Sequence, residues 1–239
     1  MPGPGLKTDA TVLETAVLVN DYYMLTKMVV DARSIQKFNL LEKMMEENRE
    51  RKQEVRDEMA RKIAEMPTEI LSAKIKAIEN RLFEFANYLE ARIALLYTPL
   101  TGEVDTAGII ARSFMYNKII VLPAFNPETH QITLMKVDDV DKDLMASPRG
   151  NLEPNPKRCK PVPIECLDIA IIPGLAMDEK GGRIGSGQGY YDRLLPDLPI
   201  TTRKVGLIFE AQIIPMVPLE SHDKHVDIVV TEERIIYKI

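Results

Sequence analysis

The chain has 239 residues, of which 45% are hydrophobic and 28% are charged, so disordered and collagen-like classes are excluded and a sizeable core can form without disulfides or metals. Its 31 basic and 36 acidic residues give a net charge of −5, which argues against nucleic acid as a partner. Two cysteines, no apolar run of the ~20 residues that span a membrane, and no secretory signal together predict a reduced, cytoplasmic protein with no membrane partner.

The first 49 residues are predicted to form a helical extension. Thr11 and Glu14 have the spacing of a capping box, which indicates a helix start. Apolar residues then recur at helical spacing within 18–29, and again within 38–45 after a break near Ser34. Because two apolar faces are costly to leave in water, we expect this extension to pack on the rest of the chain or to form a homodimer.

A run of mixed charge follows the extension. Residues 42–62 hold seven acidic and seven basic residues, a pattern that favours a solvated helix with ion pairs between successive turns. A second helix is predicted over 68–90, because Pro67 precedes it and Thr68 is a suitable N-cap.

Beyond residue 91 the pattern changes to short apolar runs separated by turn residues. Two helical stretches, 105–116 and 189–195, lie between such runs, and this order is typical of parallel βαβ units covered by helices on both faces. The sequence therefore predicts a three-layer α/β/α domain over 50–239 with a mostly parallel, Rossmann-like sheet. Five prolines mark 147–163 as a long surface connection, and whether it closes as a lid is left open. The predicted strands are 93–97, 119–122, 132–137, 168–172, 205–209 and 227–230.

The most informative segment lies between the fourth predicted strand and the helix after it. Five of the chain's twelve glycines fall within the nine residues 181–189. Glycine allows positive φ and close backbone approach, so successive N–H groups can face one concavity, which at a helix N-terminus favours phosphate. Arg183 adds a positive charge there. The pattern indicates a phosphate-binding loop, and a merely flexible connection is the alternative.

Two common nucleotide-binding loops fit this segment poorly. The lysine-containing pattern of a Walker A loop is absent. Gly185 and Gly187 begin a dinucleotide fingerprint, and Glu210 follows at about the distance of a ribose-binding acid, but Tyr190 stands at the third glycine position. A nicotinamide-dependent enzyme is therefore disfavoured.

The segment IIPGLAMDEKGGRIGSGQGYYDRLL, residues 171–195, resembles the signature of the 5-formyltetrahydrofolate cyclo-ligases, also called 5,10-methenyltetrahydrofolate synthetases. KQEVR at 52–56, YTPLTGEVDT at 97–106 and VGLIFEAQ at 205–212 resemble further blocks of that family in the same order. The resemblance covers about residues 50–232. It implies conversion of 5-formyltetrahydrofolate to 5,10-methenyltetrahydrofolate with ATP and Mg²⁺, in which the formyl oxygen is phosphorylated, N10 closes the ring, and ADP and phosphate are released.

The same resemblance implies roles for individual residues. Arg56, Arg183 and Tyr190 are expected to be catalytic, and Asp192 and Asp223 are expected to bind Mg²⁺. ATP is expected to contact Lys52, Gln53, Glu54, Val55 and Arg56, and also Arg183, Ile184, Gly185, Ser186, Gly187, Gln188, Gly189, Tyr190 and Tyr191. The folate is expected to contact Arg56, Thr98, Glu103, Ser186, Gly187, Gln188, Gly189 and Tyr190.

Alternatives remain for several of these residues. Lys52 and Arg56 are equally compatible with a solvated charge run, Asp192 with a helix-terminal cap or a partner of Arg193, and Glu103 with a first-turn residue favoured by the helix dipole. The run 222–227 contains two histidines and two aspartates that suggest a transition-metal site.

At the level of the whole protein, two other functions remain open. One is a non-catalytic paralogue that binds nucleotide or folate, and the other is an ATP-using enzyme of the same fold with another small substrate. The sequence also departs from the family at Ser186 and Gln188, where many members carry an aromatic, basic or glycine residue.

Overall fold

The apolar runs predicted from the sequence form the strands of one large sheet. The structure is a computed structural model and describes residues 32–218 and 223–238. The chain divides into two compact units, Met1–Arg49 and Glu50–Ile239. The helices are α1 (Ala32–Ala64), α2 (Thr68–Glu84), α3 (Ala86–Glu90), α4 (Ala107–Met115), α5 (Val140–Asp143) and α6 (Tyr190–Asp197). The strands are β1 (Ile93–Leu95), β2 (Ile119–Asn126), β3 (Gln131–Val137), β4 (Leu144–Ala146), β5 (Leu152–Pro154), β6 (Lys160–Pro161), β7 (Ile169–Ile172), β8 (Ala176–Met177), β9 (Arg183–Ile184), β10 (Arg203–Leu207), β11 (Ile228–Val230) and β12 (Ile235–Tyr237).

Eight of these strands form the main sheet, in the order β12-β11-β10-β7-β1-β2-β3-β6. The five central strands, β11, β10, β7, β1 and β2, pair in parallel, and the strands at the two edges pair antiparallel. The predicted mostly parallel α/β architecture is therefore confirmed. The switch to antiparallel edges occurs where a short turn, rather than a helix, connects β2 to β3 and β11 to β12.

Both faces of the sheet are covered, which explains why the central strands β1, β7 and β11 consist entirely of apolar residues. On β1, Ala94 packs in the cluster that includes Leu82 of α2 and Ile109 of α4, whereas its neighbour Leu95 packs in the cluster that includes Leu194 of α6. This alternation is the period-two pattern of a strand with a hydrophobic layer on each side. It gives the three layers that were predicted.

The helical predictions need three corrections. The backbone of α1 is continuous from Ala32 to Ala64, so the expected break near Ser34 is absent. The predicted helix over 68–90 is two helices, because Phe85 between them is extended (φ −80°, ψ 114°) and its side chain is buried in the core. Pro67 rather than Thr68 occupies the N-cap position, and no side chain caps that helix.

Other predictions concern residues outside the described ranges. The apolar pattern of 11–29 lies there, so the expected homodimer through the N-terminal helices stays a hypothesis. In the part of the chain that the structure describes, no helix combines the length and the apolar character needed to cross a membrane.

The proline-rich segment 147–163 is fixed at both ends. Residues of β5, within it, pair with β4, and β6 pairs with β3 at the edge of the main sheet. Val162 extends this pairing, since its N–H donates to the carbonyl of Leu134 at 2.8 Å. The segment is therefore a connection that strand pairing fixes at both ends, beside the carboxyl end of β2, and not a lid that moves independently of the sheet.

Candidate active site at the glycine-rich loop

The first half of the glycine-rich segment is a small β-hairpin. Strands β8 and β9 pair antiparallel, and the buried carboxylate of Asp178 accepts hydrogen bonds from the N–H groups of Lys180, Gly182 and Val217, each at 2.9 Å. Gly181 has φ +82°, and a Cβ there would lie 2.3 Å from the carbonyl oxygen of Val226. The first two glycines of the cluster therefore build the hairpin turn and do not form part of the expected cradle.

The second half of the segment is open. Gly187 and Gly189 both have positive φ, +92° and +69°, and Gly189 is the N-cap of α6. Ser186, which precedes Gly187, and Gln188, which lies between the two glycines, are both exposed. An exposed run of backbone with alternating positive φ, immediately before a helix, is the arrangement that presents N–H groups to an anion.

Helix α1 brings two of the predicted cations to this loop. Arg56 Nε donates to the carbonyl oxygen of Gly185 at 2.9 Å, and its Cζ is 3.4 Å from where a Cβ on Gly187 would be. One turn earlier, Lys52 Nζ lies 2.6 Å from Asp223 Oδ2, and both side chains are at most 10% exposed. The interpretation of Lys52 as part of a solvated charge run is therefore wrong.

The other residues of the KQEVR block face elsewhere. Gln53 accepts a hydrogen bond from Arg56 Nη1 at 3.2 Å, Glu54 is exposed, and Val55 packs against a small buried cluster that includes Ile184. Ile184 itself is core, so only its backbone is available to a ligand.

Arg183 lies at the electrostatic centre of the site. Its Nη2 lies 2.5 Å from Asp192 Oδ1, and its side chain is 4% exposed. Burial lowers the pKa of this guanidinium, and Asp192, Asp223 and Glu103 are among the groups that oppose the shift. Of the predicted site carboxylates, Asp192 therefore contacts this cation, and Asp223 and Glu103 interact with it electrostatically.

Glu103 lies in the turn that follows β1. Its Oε2 accepts the N–H of Leu100 at 2.8 Å. Burial raises the pKa of this carboxyl, and the Leu100 N–H, Arg149 and Arg183 partly oppose the rise. Thr98, on the same turn, accepts a hydrogen bond from Asn151 Nδ2 at 3.0 Å. Two of the predicted folate contacts therefore lie on the segment that follows β1, and Glu103 is close enough to Arg183 to interact with it electrostatically.

Two buried polar atoms of the site lack partners among the described residues: Arg183 Nε and the hydroxyl of Tyr191. Burial also raises the pKa of Tyr191 well above its usual range, so this hydroxyl stays protonated. Unpaired buried donors are uncommon in folded proteins, and at a cleft they mark where a ligand supplies the missing partner.

An aromatic wall that the sequence did not indicate completes the site. The rings of Phe125 and Tyr190 meet edge to face with centroids 4.8 Å apart, and His130 lies 5.7 Å from Tyr190. Arg149 covers this wall, with its guanidinium 3.8 Å from the centre of the Phe125 ring. Arg149 and its hydrogen-bond partner Gln188 are 39 residues apart in the chain, and no spacing pattern reveals such a contact.

The other site interpretations find no support in the structure. Glu210 is held by Arg234, with Nη2 2.7 Å from its Oε1, and by the Thr231 hydroxyl, so it is not presented to a ribose. His222 lies outside the described residues, and Asp227 accepts the N–H of Lys204 at 3.0 Å. Across 32–218 and 223–238, no group of three or more histidine, cysteine or acidic side chains is arranged to hold a metal.

The fold and this site define a class of protein. A parallel sheet leads into an open glycine loop at a helix N-terminus, and the loop is surrounded by arginines, partly buried carboxylates and an aromatic wall. Such a site is at the carboxyl ends of the strands, where α/β enzymes bind ligands, and its charges suit an anionic substrate with a flat ring. These features are typical of α/β enzymes with a site that suits an anion.

Comparison with known proteins gives this class a family. The sequence profile of the 5-formyltetrahydrofolate cyclo-ligase family matches residues 48–232, more than half of the chain, so the chain belongs to this family. It is accordingly a ligase of folate one-carbon metabolism.

Individual relatives agree with this assignment. The 5-formyltetrahydrofolate cyclo-ligase of Haemophilus influenzae is 27% identical over 177 residues, which cover 74% of this chain and 95% of that protein. A probable 5-formyltetrahydrofolate cyclo-ligase of Caenorhabditis elegans is 28% identical, covering 79% of this chain and 97% of that one. Among solved structures, the 5,10-methenyltetrahydrofolate synthetase of Aquifex aeolicus is 28% identical with a TM-score of 0.68, over 78% of this chain and 92% of that one.

Proposed function

We propose that this chain converts 5-formyltetrahydrofolate to 5,10-methenyltetrahydrofolate, with ATP as phosphoryl donor and Mg²⁺ as metal, and that it releases ADP and phosphate. A formamide oxygen is a poor leaving group, and its phosphorylation allows the neighbouring amine, N10, to displace it and close the ring. The protein then has mainly to align the two substrates and to neutralise developing charge. A folate substrate, a cytoplasmic location and the homodimer belong to the same proposal.

The observation that carries the proposal is the convergence of Arg56 and Arg183 on the loop, with Glu103 within electrostatic reach of Arg183. Phosphoryl transfer requires a cationic phosphate site directly beside the acceptor. A carboxylate in the same cleft suits the N–H edge of a pterin, because charge-assisted hydrogen bonds to such a donor pair are strong and directional. In this proposal the phosphate site and the acceptor site are neighbours.

The residues present fit a triphosphate. The backbone of 185–189 is exposed and carries no charged side chain, so nothing on the loop repels phosphate oxygens. Arg183 Nε, for which the described part of the chain offers no acceptor, can donate to such an oxygen. Arg56 and Lys52 add two further cations from α1. ATP, when bound, supplies the phosphoryl group and the free energy of ring closure.

The residues present also fit Mg²⁺. Asp192 and Asp223 are carboxylates, and one or two carboxylates combined with phosphate oxygens and water are the ordinary ligands of this ion. In the structure Asp192 is paired with Arg183 and Asp223 with Lys52, and these ion pairs fix the positions of the two carboxylates. The metal, when bound, neutralises charge on the phosphates.

The remaining roles follow from position. Arg183 and Arg56 neutralise charge on the transferred phosphoryl group. Tyr190 lies at the first residue of α6 with its ring against Phe125, where it provides a flat apolar surface for the substrate and excludes water. Glu103 orients the pterin, so that the formyl oxygen faces the loop.

An absorbance assay tests the proposal. Purified protein with 5-formyltetrahydrofolate, ATP and Mg²⁺ should produce the absorbance of methenyltetrahydrofolate, and omission of any one component should abolish it. Release of ADP without this absorbance would favour an ATP-using enzyme with another substrate. Binding of nucleotide or folate with neither product would favour the non-catalytic paralogue, and either result would refute the proposal.

A further inference from the structure

One cation of the site has no role in the functions considered so far. The loop 185–189 reads Gly-Ser-Gly-Gln-Gly and has no charge of its own, so every positive charge near it comes from another element. Arg56 arrives from α1 and Arg183 from β9. A third arginine, Arg149, arrives from the proline-rich connection between β4 and β5.

Hydrogen bonds fix the backbone conformation of the turn that carries Arg149. The Arg149 N–H donates to Ser147 Oγ at 3.1 Å, and the Gly150 N–H donates to the Ser147 carbonyl at 3.1 Å. The Ser147 hydroxyl lies 2.7 Å from Asn151 Oδ1. Asn151 in turn donates through Nδ2 to the carbonyl and the hydroxyl of Thr98. The turn is therefore fastened to the strand end where the folate is expected.

The side chain of Arg149 is fixed while its charge is left intact. Its Nε donates to Gln188 Oε1 at 2.9 Å, and its plane covers the rings of Phe125 and Tyr190 at 3.8 Å and 5.0 Å from their centres. An amide acceptor and two ring faces orient a guanidinium without neutralising it. Arg183 and Lys52, by contrast, are each paired with an aspartate.

The terminal nitrogens of Arg149 remain available. Within the described residues no carboxylate lies at ion-pair distance from them, and no group accepts a hydrogen bond from either. Burial raises the pKa of both Glu103 and Tyr191, and the guanidinium is among the groups that oppose this rise, so its charge acts within the same cleft. A fork of two N–H donors, held over an aromatic wall beside a neutral glycine loop, matches the two oxygens of a carboxylate or a phosphate.

We propose that Arg149 is a ligand-binding residue, whose two terminal nitrogens bind an anionic oxygen pair of the ligand that lies between the glycine loop and Glu103. The identity of that ligand rests on the proposed function. The anion has two sources there, a phosphate of ATP or a carboxylate on the glutamate tail of the folate. Gln188 is then the positioning residue that holds the guanidinium in place.

The test compares Arg149→Gln with Lys157→Gln, which removes the same charge from an exposed position eight residues further along the same segment. Steady-state KM is measured for each substrate, and calorimetry measures affinity for 5-formyltetrahydrofolate and for a non-hydrolysable ATP analogue with Mg²⁺. We expect Arg149→Gln to raise one of the two KM values ten- to hundredfold, the usual worth of a bidentate ionic contact. Lys157→Gln should leave both unchanged.

The KM or affinity that changes in Arg149→Gln identifies which ligand carries the anion. Weaker binding of the ATP analogue identifies a phosphate. A raised KM for the folate, with no difference between wild type and variant for a pteroyl substrate lacking the glutamate, identifies the carboxylate. Gln188→Ala should raise the same KM by a smaller factor, and Arg149→Lys should recover part of the loss.

Unchanged KM values and affinities for both ligands in Arg149→Gln would overturn the proposal, as would a fall in melting temperature that accounts for the lost activity. Failure of the wild-type protein to form methenyltetrahydrofolate would count against the proposed function instead. In that case the calorimetric comparison of the two variants still decides whether Arg149 binds an anion.

Discussion

The two parts of the glycine-rich segment, 174–184 and 185–189, contain three glycines each but differ in their exposure to solvent. In 174–184 all residues except Glu179 and Lys180 at the turn are buried. Asp178 satisfies three N–H groups, and a carbonyl of a distant residue lies against Gly181. In 185–189 the backbone is exposed, and its contacts are with the ends of Arg56, Arg183 and Arg193. Glycine serves close packing in the first half and access in the second.

This difference indicates how a loop can be exposed to solvent and still have a fixed conformation. The hairpin fixes Arg183 in β9, and α6 fixes Tyr190 and Asp192, so the five residues between them are held at both ends. An anion site needs donors that are oriented before the ligand arrives, because reorientation would reduce the gain in binding free energy. The hairpin half therefore contributes to binding through the position of the loop and not by contact.

Substitution of one glycine from each half should produce the largest contrast. Gly181→Ala combines a strained φ with a clash against backbone, and we expect it to lose roughly 3 kcal/mol or more of stability. Gly187→Ala has the same strain, but its Cβ meets the flexible Arg56 side chain at 3.4 Å, so we expect a loss of about 1 kcal/mol and a raised KM for ATP. Thermal unfolding and kinetics measure the two effects.

Gly150→Ala provides the control for strain alone, since Gly150 has φ +90° and nothing lies within 4 Å of the added Cβ. Its stability loss should match that of Gly187→Ala, with no effect on ATP. If Gly181→Ala were no less stable than Gly150→Ala, the assignment of the first half to the fold would be wrong.

Asp192→Asn tests the function of the exposed part of the segment, because Asp192 lies in the helix that follows the loop 185–189. The amide can still accept a hydrogen bond from Arg183, so the chain should fold, but a neutral group neither binds Mg²⁺ well nor balances the buried guanidinium. We expect turnover to fall at least about a hundredfold, measured by the absorbance assay over a series of Mg²⁺ concentrations. Asp197→Asn, at the exposed end of the same helix, should retain normal turnover. Turnover of Asp192→Asn within threefold of wild type would remove Asp192 from the metal site.

The fold could be predicted from the sequence because its signals are local. Apolar runs such as 169–172 and 119–122 indicate strands that are buried on both faces of the sheet. The turn residues between such runs indicate where one element ends and the next begins. The mostly parallel character of the sheet also followed from the βαβ spacing, whereas the order of its strands was not predicted. The break at Phe85 was missed, because an extended residue between two good helical patterns leaves no local trace.

The site could be predicted only where its residues are close in the chain or match the family. The loop and Asp192 lie on one segment, and Lys52 and Arg56 were identified through the resemblance. Arg149 was missed because its contact with Gln188 depends on how the connection after β4 crosses the sheet. The separate role of Gly181 was missed for a related reason, since Val226 lies on a distant part of the chain.

The smallest expected effect concerns Glu103, which links the loop to the folate side of the site. Its pKa is raised in the folded chain, chiefly by burial, so the folded state binds more protons than the unfolded state between the ordinary and the raised pKa. Stability contributed by this residue therefore falls as pH rises through that window. Glu103→Gln should raise the melting temperature at pH 7 to 8 by about 1–3 °C, the size of shift that ~1 kcal/mol gives in a chain of this length.

The higher melting temperature of Glu103→Gln should vanish below the ordinary pKa of glutamate, where Glu103 is protonated in both the folded and the unfolded state. The folate KM should rise at every pH, because a carboxylate acceptor is lost. Differential scanning calorimetry across pH 4–8 measures the first effect, with Glu90→Gln as the exposed control. A lower melting temperature for Glu103→Gln at pH 7 would mean that the carboxylate is held by stronger contacts than the Leu100 N–H and the two arginines. Glu103 would then stabilise the fold and would not have the proposed role in binding the pterin.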